Sequence, residues 1–237
     1  MTSAEIIIGE AQALAEMFAG RLEQAARGAL SARGSFSIAL PGGSVAAALF
    51  PRLARLPVDW TRVSFFWADE RGVPPADPES NYGLARALWL APAGVPEDRV
   101  HRMPADATDL EAAATAYEAE LCRVLGDPPR IDLALLGVGP DGHVCSLFPG
   151  HRLLQERRRW VAALDDAPKP PPRRLTLTLP ALAAARLVVV AALGPSKAEP
   201  IRSALAARDS PLPVAQVLRG AQPTLLLLDP EAAAGLP

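Results

Sequence analysis

The chain has 237 residues, half of them apolar, with 24 Lys and Arg against 26 Asp and Glu for a formal net charge of -2. That length suits one large α/β domain, residues 1–237, and the even scatter of basic residues excludes the electrostatic footprint of a nucleic-acid binder. The apolar runs at 187–193 and 225–228 are far shorter than the roughly 20 residues that cross a bilayer, and they read as buried strands rather than as membrane contacts.

In chain order, residues 6–8 suggest a first strand. From Glu10, apolar positions recur at Leu14, Phe18, Leu22, Ala26 and Leu30, the spacing of an amphipathic helix. Residues 35–40 form a second strand, broken by Pro41-Gly42-Gly43-Ser44 before a helical pattern resumes to Arg55. A Gly-rich turn feeding a helix N-terminus leaves bare amides that favour an anion, although a simple Ser44 cap has the same sequence. The next strand, 63–68, ends in Asp69-Glu70-Arg71. There an arginine fork suits phosphate or carboxylate, and Asp69 can hold that fork or bind a hydroxyl. Ser80 is read as the cap of a helix running to Leu90, His101 as structural or surface, and 109–125 as a helix with Leu110, Ala113, Ala114, Tyr117, Leu121 and Val124 on one face.

Residues 132–136 are a short apolar strand followed by glycines at 137, 139 and 142, with Asp141 and His143 among them. An acid and an imidazole two residues apart, just past the end of a strand, are a site candidate, because ligands of open α/β sheets bind beyond the strands' carboxyl ends. His151 is taken as a rim residue and 156–159 as an exposed basic segment. The stiff Lys169-Pro170-Pro171-Pro172-Arg173-Arg174 stretch leads to an alternating strand at 175–179, with Arg174 facing either solvent or a site. The strand at 187–193 breaks at Gly194-Pro195-Ser196-Lys197, placing a cation at another strand-to-helix turn, and a helix near 214–218 and a strand at 224–228 follow. Strands alternating with helices predict an α/β fold with a mainly parallel sheet and helices on both faces.

Three histidines, no HExxH pattern, and Cys122 and Cys145 without metal-ligand spacing predict chemistry without metal or cofactor in a reducing, cytoplasmic setting. The opening MTSAEIII has no basic region before an apolar core, so no secretory leader is expected. There is no G-x-S-x-G elbow, so neither Ser44 nor Ser146 is expected to act as an acyl nucleophile. What remains is an imidazole base with cations that hold an anionic substrate, a set suited to activating water or moving protons on a sugar phosphate.

Six motifs in order, LPGGS at 40–44, DER at 69–71, ESNYG at 79–83, LGVGPDGHVCSLFPG at 136–150, RLTLTLP at 174–180 and GPSK at 194–197, resemble the 6-phosphogluconolactonase family of the glucosamine/galactosamine-6-phosphate isomerase superfamily. The resemblance implies a Rossmann-like fold and hydrolysis of a small-molecule sugar-phosphate lactone, 6-phospho-D-glucono-1,5-lactone, by a monomer or weak homodimer. It implies His143 as the general base, Asp141 as the group that orients it or a sugar hydroxyl, and Gly42, Gly43, Ser44 and Lys197 as a phosphate cradle. Arg71 and Arg174 would add charge, and Asp69 would fix Arg71 or a hydroxyl. One departure is that Val45-Ala46 follow Ser44 where many relatives read GGSTP. The rival readings are an isomerase or deaminase of the same fold, which would need an acid shortly after the histidine where 144–150 has none, and a sugar-phosphate sensor, which would carry a DNA-binding segment.

Overall fold

A computed structural model describes residues 4–207, 209–220 and 222–236. Its frame is a six-stranded sheet, parallel throughout. The strands are β1 (Glu5–Ile8), β2 (Phe36–Leu40), β3 (Val63–Trp67), β5 (Leu133–Gly137), β8 (Val188–Ala192) and β9 (Thr224–Leu228), in spatial order β1-β9-β8-β5-β2-β3. From β2 to β8 these strands read as almost unbroken apolar runs because both sheet faces are covered.

Helices α1 (Ala11–Arg33) and α2 (Gly43–Leu53) connect strands that advance one way across the sheet. Helices α4 (Leu110–Leu125), α5 (Leu179–Ala184), α6 (Ala198–Ala206) and α7 (Pro213–Leu218) lie in connections that advance the other way. Right-handed crossovers therefore put the two sets on opposite faces. The contacts between α1 and α2, and between α6 and α7, agree. The α1 spacing buries Leu14, Phe18, Leu22 and Ala26 as its period requires, and α4 buries Leu110, Ala113, Ala114, Tyr117 and Leu121. None of the described helices is long and apolar enough to cross a membrane.

The chain direction reverses between β2 and β5: β2 leads outward to β3, and the chain returns through α4 to β5 on the far side of β2. Pairing between β2 and β5 covers only Ile38–Leu133 and Ala39–Ala134, so the two strands part toward their carboxyl ends. Such a switch point opens a crevice at that edge.

The mainly parallel sheet is as expected, with an antiparallel addition, and one strand boundary needs correction. Not every strand joins the parallel sheet: β4 (Asp69–Arg71), β7 (Arg174–Leu177) and β6 (Val161–Leu164) form a separate antiparallel sheet in the order β4-β7-β6. Asp69-Glu70-Arg71 is thus itself a strand, with Arg71 paired to Arg174. The alternating segment expected to run to Leu179 ends at Leu177. There Thr178 caps α5, its hydroxyl accepting from the Ala181 amide, and Pro180 sits in the first turn, where its missing N–H is harmless.

Candidate active site

A cavity of about 430 Å³ opens at the carboxyl edge of the parallel sheet. Its wall includes Gly42, Gly43 and Ser44 from the turn after β2, Asp69 and Arg71 from β4, His143 from the loop after β5, Arg174 from β7 and Lys197 from the turn after β8. The strand order thus gathers residues that lie up to 155 positions apart, from 42 to 197, onto one rim. Asp141 is absent from the wall and stands behind His143.

His143 Nδ1 lies 2.5 Å from Asp141 Oδ1, and Lys169 Nζ donates to the same oxygen at 3.0 Å. Lys169 Nζ is also 3.4 Å from Nδ1. Burial alone raises the Asp141 carboxyl pKa, but the hydrogen bonds and charges of Lys169 and His143 outweigh that and hold it at about 2. The carboxylate is therefore ionised and can only accept, and at 2.5 Å it is the close partner, so Nδ1 carries the ring proton and the more distant ammonium donates to Asp141 instead. That tautomer leaves a lone pair on Nε2, which bonds no described residue. Burial pushes the imidazole below its ordinary 6.5; Asp141 pulls it back up, Lys169 pushes it further down and Asp69 pulls it up. The Phe148 ring lies 4.7 Å from the imidazole, helping to exclude water. Gly139 provides room for the ring: a Cβ there would stand 2.0 Å from His143 Cε1 and Nδ1.

On the other flank, Asp69 is buried, accepting the Ser146 hydroxyl at 2.7 Å on Oδ2 and the Asn81 amide at 3.1 Å on Oδ1. The Ser146 hydroxyl thus faces an acid and not an imidazole, which leaves it without the base an acyl nucleophile needs. Arg71 Nη1 donates to the Glu79 carbonyl at 2.8 Å, while its Nε is buried with no partner among the described residues. Arg174 lines the cavity; its Nε and Nη2 donate to the carbonyls of Lys169, Pro170 and Pro171 at 3.0–3.3 Å, while Nη1 lies 3.4 Å from the Ser146 hydroxyl and 3.9 Å from Asp69 Oδ2. Lys197 bonds no described residue; burial and the nearby Lys169 lower its pKa, against a pull upward from Asp141.

Glu70, the middle residue of the charged triplet, points away from the cavity and anchors the helix α3 (Asn81–Ala85). Its carboxylate accepts from the backbone amides of Arg71, Asn81 and Tyr82 and from the Ser80 hydroxyl at 2.7–3.1 Å. Burial pushes its pKa up while those amides pull it down. Ser80 is the helix cap the sequence predicts, accepting from the Gly83 amide. Glu70→Ala strands several buried donors at once and is expected to lower the unfolding free energy by about 3 kcal/mol or more, read by urea denaturation. A loss within error would mean that water satisfies those donors.

Sequence reasoning missed Lys169, taken only as part of a stiff loop, and passed over Asn81 and Glu70. A lysine and an arginine bracketing three prolines, at fixed reach from one another, was the available signal for Lys169. His151, expected at the rim, does not line the cavity; its Nε2 meets Asp166 at 3.0 Å. His101 meets Glu120 and stacks on Phe66, a packing role as expected.

The model for glucosamine-6-phosphate isomerases/6-phosphogluconolactonase matches residues 9–226. A Mycobacterium tuberculosis 6-phosphogluconolactonase is 42% identical over 246 residues, covering 100% of both chains. The solved structure of a 6-phosphogluconolactonase from Trypanosoma brucei is similar, with a TM-score of 0.86 and 29% identity over 100% of both chains. A monomeric glucosamine-6-phosphate deaminase shares the fold, with a TM-score of 0.82 at 22% identity, covering 97% of this chain and 98% of that one. The chain belongs to the glucosamine-6-phosphate isomerase/6-phosphogluconolactonase family.

Proposed function

We propose that this chain hydrolyses 6-phospho-D-glucono-1,5-lactone to 6-phospho-D-gluconate, the lactonase step of the oxidative pentose phosphate pathway, with His143 as general base. The observation that carries the reading is an imidazole whose Nδ1 is held by an ionised carboxylate while its Nε2 stands unpartnered in a cavity walled by cations. The relatives' names point to the same chemistry.

In this reading Nε2 takes a proton from water as the water oxygen attacks the lactone carbonyl carbon. The resulting imidazolium, stabilised by Asp141, returns the proton to the ring oxygen as the C–O bond breaks. The acid released then ionises in solution, so the histidine ends the cycle neutral. Lys169 and Asp141 fix the tautomer, and Arg174 acts by holding the Lys169 loop more than by meeting phosphate. The amides of Gly42, Gly43 and Ser44 with Lys197 and Arg71 cradle the phosphate. Arg71 supports that assignment by lining the cavity with its guanidinium steadied through Nη1 on the Glu79 carbonyl.

The test is the addition of protein to freshly prepared lactone, with acid release followed at constant pH. Hydrolysis well above the spontaneous rate is expected, with no ammonia released from glucosamine 6-phosphate. Lactone binding without acceleration would favour the sensor reading, and ammonia release the deaminase reading. Arg71→Ala and Lys197→Ala are each expected to raise KM about 10- to 100-fold with kcat largely kept, the signature of lost uniform binding by a charge-assisted contact. Steady-state kinetics in which KM is unmoved in both variants would put the phosphate elsewhere.

A further inference from the structure

We infer that Asn81 is a positioning residue that locks the glycine turn after β2 to Asp69, and that position 42 is glycine because the Asn81 amide occupies the space a side chain would need. Asn81 is 1% exposed and does not line the cavity, so it can act only through other groups. Its Nδ2 donates to the Asp69 carbonyl at 2.9 Å and to Asp69 Oδ1 at 3.1 Å. Both of those partners only accept, which fixes the orientation of the amide and turns Oδ1 toward the turn. A Cβ built on Gly42 would lie 1.7 Å from Asn81 Oδ1 and 2.3 Å from Cγ, so the amide packs directly on the glycine backbone. The Asn81 main chain is held in turn by Glu70, whose Oε1 accepts its N–H at 2.9 Å.

The arrangement spans two groups that both face the cavity. Gly42 opens the turn whose amides are proposed to meet the phosphate. Asp69, whose other oxygen takes the Ser146 hydroxyl, stands on the far wall. Asn81 therefore sets the separation between the two, and a longer or shorter brace would move one against the other. Neither wall reports this alone: the turn reads as an ordinary glycine turn and the asparagine as an ordinary residue in the first turn of a helix.

The inference rests on the lactonase reading, and the experiment separates the two. It is a mutant cycle of Asn81→Ala, Gly42→Ala and the double variant, with KM, kcat and Tm measured on fresh lactone. Asn81→Ala is expected to raise KM about tenfold with kcat within about threefold, since the brace orients binding groups rather than the base. Gly42→Ala, forced against the amide, is expected to raise KM by about 100-fold or more. In the double variant the truncated side chain leaves room for the methyl group, so KM should fall back to about that of Asn81→Ala. If Gly42→Ala does not fold, recovery of folding and binding in the double variant is the same rescue. An unchanged KM in Asn81→Ala, even with a lowered Tm, overturns the positioning role while leaving the lactonase reading intact. So does a double variant whose KM effect is the product of the single ones. A wild-type protein that does not accelerate lactone hydrolysis overturns the lactonase reading, and the Tm values then still report whether residues 42 and 81 touch.

Discussion

Replacing His143 by alanine is expected to lower kcat about 10²- to 10⁴-fold, the usual worth of a positioned acid-base group, with little change in KM. Water is a weak nucleophile at neutral pH, and a lactone carbonyl yields only when a proton leaves that water as the C–O bond forms. In the cavity wall the group placed to take the proton is His143 Nε2, because Nδ1 is committed to Asp141. The alanine also removes a ring that packs on Phe148, but the site is at the cavity edge and not in the sheet core, so the variant should fold and be measurable. A kcat equal to that of the wild type would remove His143 from the mechanism.

Asp141→Asn is the second large effect, expected to lower kcat by about 10²-fold or more. The carboxylate accepts from Nδ1–H and so dictates which nitrogen is basic; an amide can donate there instead and turn the ring into the wrong tautomer, as in other hydrolytic dyads. The pH profile separates this from a mere loss of packing. The base works only when neutral, so kcat/KM falls as pH drops through the histidine pKa, which burial holds below 6.5. Asp141 pulls that pKa up, so its loss moves the acid limb to still lower pH. Lys169 pushes it down, so Lys169→Met moves the limb to higher pH. Opposite displacements in the two variants are the expected result. Limbs that move together, or do not move, would mean that neither side chain acts on the imidazole.

Much of the frame was legible in the chain because local and global preferences agree there. The short apolar runs at β2, β5, β8 and β9 have no other stable use than buried strands, and β2, β5 and β8 are each followed by a turn that delivers a polar residue to the same edge. Gly42, Gly43, Ser44, His143 and Lys197 line one cavity for that reason, and the second sheet brings Asp69, Arg71 and Arg174 to it. The second sheet was not legible. Val161–Leu164 is only four residues long, and its partner was read as a longer strand because Thr178 continues the alternation even as it caps a helix. Lys169, Glu70 and Asn81 escaped notice because their importance is relational. Lys169 matters through an oxygen 28 positions away, and Asn81 through a glycine 39 positions away. No periodicity encodes such contacts. Arg174 was legible only as a cation at a strand edge: that its Nε and Nη2 hold three loop carbonyls while Nη1 reaches Ser146 is again a relation no local pattern shows.

The most direct test of the central claim is the structure of the protein bound to 6-phosphogluconate. The account predicts the C1 carboxylate within hydrogen-bond reach of His143 Nε2, with the phosphate over the turn of Gly42, Gly43 and Ser44 and within reach of Lys197 and Arg71. A sugar acid bound in reverse, its phosphate on His143 Nε2 and its carboxylate in the glycine turn, would contradict it.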